Sequence, residues 1–192
     1  MTDSLQSDYE RTFLAALDLS REHRCDEAVA TLAEFYASHR HEDDTGWLRN
    51  ATLSESALLL AENGDYEGAI RTYRETNWPA ESTSRYLNTA HALARLLVTV
   101  HKDSEAIQVL ESSLAAAGAG HLESYVPLLL LLCDISGKLG LSVHHRDLVA
   151  RMAKHWEVPI AEEALDDPIA LAALVRDIVA RLRSSEQNRD RT

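Results

Sequence analysis

Apolar residues return every three or four positions along almost the whole chain, the spacing that lays one face of a helix against a core. Tyr9, Phe13, Ala16, Leu17 and Ser20 line one side of a first predicted helix. Beyond a polar break at 21–24, Ala28, Val29, Leu32, Phe35 and Tyr36 line a second, and the polar stretch 39–46 is predicted as a connection. A third helix is predicted over 47–62, and Asn63-Gly64-Asp65 stops it, because Asn and Gly tolerate the left-handed backbone that ends helices. The next carries Tyr66, Ala69, Ile70 and Tyr73 and ends near Asn77-Trp78-Pro79. Further helices are predicted over 83–100, through Ala106 to Leu114, through the apolar run 126–133 to Leu139, and over 143–156. Asp166-Asp167-Pro168 opens the last one, with carboxylates at the positive end of its dipole and proline in the tolerated first turn. That helix continues to about 183, and the polar tail 184–192 is expected to fray. No stretch alternates with the period of a strand, so the predicted fold class is all-α.

The pattern repeats. Arg24-Cys25-Asp26-Glu27-Ala28-Val29, Gly64-Asp65-Tyr66-Glu67-Gly68-Ala69-Ile70 and His101-Lys102-Asp103-Ser104-Glu105-Ala106-Ile107 are variants of one phrase. The anchoring alanines Ala28, Ala69 and Ala106 lie 41 and 37 residues apart. Twelve residues before each stands Ala16, Ala57 or Ala94; nine before, Leu19, Leu60 or Leu97; four after, Leu32, Tyr73 or Leu110. Two antiparallel helices joined by a short turn approach closely only where both present a small residue. Large neighbours then fill the space toward the next pair, and such a pair buries its apolar face only by stacking.

This grammar resembles the tetratricopeptide repeat (TPR), a helix pair of roughly 34 residues. Residues 50–81 match best, with Ala57, Leu60, Gly64, Tyr66, Ala69 and Tyr73 in the hallmark places. Units at 9–40 and 87–118 match more loosely, and a degenerate fourth at 129–160 would cross at Ser136 and Leu148. The linkers are longer than the family norm, and the usual terminal proline is met only by Pro79. The resemblance implies a right-handed α-α superhelix of helix hairpins in a single domain, 1–183, closed by a solvating C-terminal capping helix at 166–183. It also implies partner binding in a concave groove lined by the first helix of each pair. On this sequence those positions are Phe13, Leu17 and Arg21; Ser54, Glu55, Leu58 and Glu62; and Asn88, His91, Arg95 and Thr99. Members of the family that grip a chaperone's terminal carboxylate use Lys, Asn and Arg at fixed groove positions. Here those positions hold Phe13, Leu17, Glu55, Asn88 and Ala92, so a carboxylate clamp is not expected.

Charge narrows the choice of partner. The chain has 31 acidic against 19 basic side chains and a formal net charge of −12. That surface repels phosphate backbones, so no direct nucleic-acid partner is expected. It attracts basic proteins, although many soluble proteins are as acidic without one. The longest apolar run, 126–133, is far short of the roughly 20 residues that span a bilayer, and the N-terminus shows no basic-then-apolar leader. A cytoplasmic location and no membrane partner follow as expectations.

Candidate chemistry is sparse. His39 and His41 with Glu42, Asp43 and Asp44 offer metal-binding atoms, but on a polar loop without a rigid surround. His144-His145 aim different ways on a helix and are expected to be solvated or capping. Cys25 and Cys133 belong to no Cys-x-x-Cys pair and read as core thiols. No nucleotide loop, nucleophile elbow or paired-histidine zinc motif is present, so neither catalysis nor a metal or other cofactor is expected. The leading expectation is a protein-binding scaffold, in one version a bacterial immunity protein covering a basic toxin. The alternatives are a homodimeric structural protein, anchored by Trp47, Trp78 and Trp156, and a helical enzyme.

Overall fold

The computed structural model describes residues 3–78, 83–116, 122–136 and 145–189. Its helices are α1 (Asp3–Arg21), α2 (Cys25–His39), α3 (Trp47–Glu62), α4 (Tyr66–Glu75), α5 (Thr83–Thr99), α6 (Asp103–Ala116), α7 (Val126–Ser136), α8 (Arg146–His155) and α9 (Pro168–Arg189). Single tight turns of 3-10 helix lie at Arg40–Glu42, Leu122–Tyr125 and Glu162–Asp166, and no strand occurs among the described residues. The fold is a TPR-like stack of helix hairpins: α1 packs on α2, α3 on α4 and α5 on α6, and α2 against α3 and α4 against α5 join the pairs.

The alanine spacing is the reason the pairs close. Ala16 and Ala28, Ala57 and Ala69, and Ala94 and Ala106 are all 0% exposed. Leu32, Leu97 and Leu110 are also fully enclosed, and burying each such side chain contributes about 1.5–3 kcal/mol.

The turns repeat as faithfully as the crossings. Five residues before each anchoring alanine the backbone is left-handed, at His23 (φ 62°), Gly64 (φ 87°) and His101 (φ 59°). In each turn the following N–H bonds back to the leucine carbonyl of the helix end: Arg24 to Leu19 at 2.9 Å, Asp65 to Leu60 at 2.9 Å and Lys102 to Leu97 at 2.8 Å. This is the Schellman closure, which satisfies helix-end carbonyls with a left-handed residue. Glycine is free to adopt it at position 64, whereas His23 and His101 do so against the steric preference of an L-residue. Carboxylates cap the starts of α4 and α9. Asp65 accepts from the Gly68 N–H at 2.9 Å. Asp167 does the same for Ile169 at 3.0 Å.

The C-terminal third departs from the expected hairpin. Among the described residues α8 packs chiefly on α9 rather than on α7, while α7 lies against α5, α6 and α9. Helix α8 also ends in a left-handed residue, Glu157 (φ 53°), with Val158 N–H bonded to Ala153 O at 2.8 Å. It thus closes as α1, α3 and α5 do, and its partner across the turn is α9. Of the expected Ser136–Leu148 crossing, Leu148 is half-buried and the Ser136 side chain lies outside the described residues. Nor is α9 a merely solvating cap: Leu171, Leu174, Val175 and Ile178 are buried in the main core. It runs to Arg189, past the expected end at 183, since the Arg, Ser, Glu and Gln residues there break no helix.

Two smaller apolar clusters sit beside that main core. Ala16, Cys25, Ala28, Leu32 and Leu59 join α1, α2 and α3. Tyr9, Leu48, Ala51 and Trp78 form the other, at the edge of the face described next.

Candidate functional site

The first helices of the three regular pairs, α1, α3 and α5, enclose a cleft of about 350 Å³. Tyr9, Glu10 and Gln6 come from α1, Trp47, Ala51, Ser54 and Glu55 from α3, and Arg85, Asn88 and Thr89 from α5. Trp78, in the segment after α4, completes the wall. A second cleft of about 300 Å³ lies farther along α3 and α5, between Leu58, Ala61, Glu62, Ala92, Arg95, Leu96 and Thr99, with Tyr66 and Tyr73 of α4 at its side.

Local structure explains how the walls are held. Asp43 reaches past the bend at Gly46, where φ is 69°, and accepts from the N–H groups of Leu48 at 3.0 Å and Arg49 at 2.9 Å. That carboxylate fixes the start of α3 and with it Trp47. Asn50, 4% exposed, donates to Asn77 O at 3.0 Å and accepts from Asn77 N–H at 2.8 Å. The clasp ties the segment after α4 to α3, and Trp78 is delivered into the cleft, its indole N–H 3.4 Å from Ser54 Oγ. Tyr9 meets Trp47 edge-on, ring centres 5.3 Å apart. The Arg85 guanidinium carbon stands 4.8 Å from the Trp47 ring centre and 5.2 Å from that of Trp78.

The cleft's polar groups are incompletely answered. Tyr9 is 7% exposed, and its hydroxyl has no hydrogen-bond partner. Burial raises its pKa strongly, the Glu55 charge adds to the rise and Arg85 opposes it. Glu55 is half-buried, and no cation pairs with it among the ion pairs of the described residues. Burial, and then the Glu62 charge, raises its pKa. Toward the second cleft, burial followed by Glu55 and Glu62 pushes Tyr73 up to about 12. His91 is half-buried on α5, and burial with the adjacent Arg95 charge lowers its pKa, which favours the neutral ring.

The Glu55 shift has a consequence for stability. Its folded pKa lies above the ordinary carboxylate value of ~4.3, so the folded state disfavours the charge. The penalty is absent below that ordinary value, grows as pH rises from it to the raised one, and is constant above both. Glu55→Gln is therefore expected to melt higher than the parent at pH 7 and level with it at pH 4. Paired thermal melts at the two pH values check this; an equal or lower melting point at pH 7 contradicts it.

Of the groove residues expected from the sequence, the structure brings Ser54, Glu55 and Asn88 to the first cleft and Leu58, Glu62, Arg95 and Thr99 to the second. The first unit is different. Phe13 and Leu17 pack with the α1–α2 cluster, Phe13 stacked 6.4 Å from Tyr9, and Arg21 is exposed and paired with Asp18 at 3.0 Å. Helix α1 meets the cleft a turn earlier, through Gln6, Tyr9 and Glu10, because the repeat register assumes that all three pairs stack alike. Arg85 and Tyr9 were within reach of sequence reasoning, one turn before Asn88 and Phe13 on the same helix faces. Trp78 was not, since it arrives from outside any helix.

The remaining candidates find other employment. Asp43 is a helix cap, and His39 Nδ1 bonds to Phe35 O at 2.9 Å. No group of three or more His, Cys, Asp or Glu could hold a metal ion among the described residues. His144 lies outside those residues; His145, expected to be solvated or capping, stands at the N-cap position of α8 and is buried, with no side-chain cap bond there. Cys25 and Cys133 are buried free thiols; Cys25 Sγ lies 3.4 Å from Leu59 O, and burial pushes Cys133 up to about 11. Trp78 is buried, and Trp47 and Trp156 are half-buried against the apolar clusters. No helix among the described residues is long and apolar enough to cross a membrane.

No family model and no curated protein matches this chain. Among solved structures it is similar to a Podosopora anserina protein of the kinesin light chain kind with nearly identical TPR-like repeats. The match covers the full length of both chains, with a TM-score of 0.56 and 18% identity. At that identity the likeness establishes the fold and nothing more.

Proposed function

We propose that this protein is a binding scaffold that holds another protein against the face made by α1, α3 and α5. The single observation that carries the reading is the pair of clefts on that one face, lined by side chains from successive repeats. Exposed apolar side chains, Leu58 and Tyr66, border the second cleft, and the half-buried Glu55 lines the first. Such a surface suits a partner that brings apolar contact and positive charge together. The net charge of −12 supports a basic partner, captured faster by electrostatic steering. Sequestration of a basic toxin by an immunity protein is one form of this activity. The reading assigns no catalytic step.

Photo-crosslinking in the native host tests it. A benzophenone side chain at Asn88 or Leu58 is expected to give a covalent adduct with a distinct protein, and one at the exposed Arg71 or Gln108 is expected to give none. Adducts from Arg71 and Gln108 alone would remove the assignment. A doubled-mass self-adduct from Asn88 and Leu58 would replace the scaffold with a homodimer.

A further inference from the structure

We infer that the first cleft is an aromatic slot for the guanidinium of a partner's arginine side chain, and that Arg85 is its internal occupant. The slot's fit to that group is visible directly. The Arg85 guanidinium carbon lies 4.8 and 5.2 Å from two indole centres, inside the ~6 Å range of cation–π attraction. Arg85 itself is exposed and makes none of the ion pairs found among the described residues, so little besides the indoles holds it there.

Two further groups in the same cleft lack what a guanidinium supplies. The Tyr9 hydroxyl is enclosed without a partner, and the half-buried Glu55 carboxylate makes none of the ion pairs found among the described residues. A guanidinium carries five N–H donors in a rigid plane, so one that stacks on an indole still has donors to offer to acceptors lining the cleft. An ammonium stacks less well and has no fork, which is why the occupant is arginine rather than lysine. The opposite assignment, a carboxylate received by Arg85, would place an anion beside Glu55 and Glu10. The inference rests on the proposed scaffold reading for the source of the arginine, but its chemistry is testable without that partner.

The test uses the purified full chain and the capped pentapeptide Gly-Gly-Arg-Gly-Gly, with citrulline and glutamate versions as probes, followed by tryptophan fluorescence and calorimetry. Arg85→Ala vacates the slot and is expected to bind the arginine peptide about tenfold more tightly than the parent. In that background the citrulline peptide, which is neutral but of the same shape, is expected to bind about tenfold more weakly than the arginine peptide. Adding Glu55→Gln or Tyr9→Phe should weaken the arginine peptide several-fold, while adding Trp156→Phe leaves it unchanged. Arg85→Lys serves as a second variant that keeps the charge and loses the planar fork, with an affinity between those of the parent and Arg85→Ala.

Equal binding of the arginine and citrulline peptides overturns the slot, as does no arginine-dependent signal with Arg85→Ala up to about 10 mM. Binding of the glutamate peptide by the parent, abolished in Arg85→Ala, overturns it in favour of an anion site. Peptide failure with successful crosslinking at Asn88 sinks only the slot. Crosslinking failure with peptide success sinks only the scaffold reading.

Discussion

Replacing Ala94 with leucine is expected to destabilise the protein by about 3 kcal/mol, the upper end of what overpacking a well-filled interior costs. Ala94 on α5 is 0% exposed, as is Ala106 on the facing helix α6. Three extra carbons there have no void to enter. The two helices must separate, and separation loosens Leu97 and Leu110, both fully enclosed in the same pair. For a chain of this size each kcal/mol shifts the melting temperature by about 2–4 °C, so a drop of roughly 6–12 °C is expected. The same change at Ala33, exposed on α2, should move stability by no more than about 0.5 kcal/mol. Urea denaturation of both variants decides the matter. A cost below about 1 kcal/mol at Ala94 would mean that α5 and α6 do not meet at that methyl group.

Asn50→Ala is expected to cost about 2 kcal/mol and to disorganise the first cleft without removing any side chain that lines it. The buried amide holds both the N–H and the C=O of Asn77, at 2.8 and 3.0 Å. Alanine leaves a buried space and two unanswered backbone groups, which must find water. Trp78 follows directly in the chain and depends on that clasp for its place beside Ser54 and under Arg85. The expected signature is a lower denaturation midpoint together with red-shifted tryptophan emission, as Trp78 gains solvent. Asn50→Asp keeps the acceptor for Asn77 N–H and should retain part of the stability. A stable variant with unshifted emission would show that other contacts position Trp78.

These two variants divide what is local from what is not. Ala94 could be chosen from the sequence, because Ala16, Ala57 and Ala94 each precede a second alanine by twelve residues. The phrase containing Gly64-Asp65 marked a turn, and the structure shows the same turn built around His23 and His101, which carry no left-handed signature of their own. Asn50 could not be chosen. An asparagine in the first turns of a helix is unremarkable until its partner, 27 residues on, is known.

The amino-acid order alone determined the helices, their turns and the buried alanines of the three regular pairs, because those depend on periodicity and on neighbours within one hairpin. Tertiary structure decided the rest. It set α8 against α9 rather than α7, a choice that periodicity within one helix does not make. It also brought the face of α1 to the cleft through Tyr9 instead of Phe13, because small offsets between stacked pairs move a side chain by a full turn. Trp47, Trp78 and Arg85 come from three separate segments, and their meeting depends on distances that no local pattern encodes.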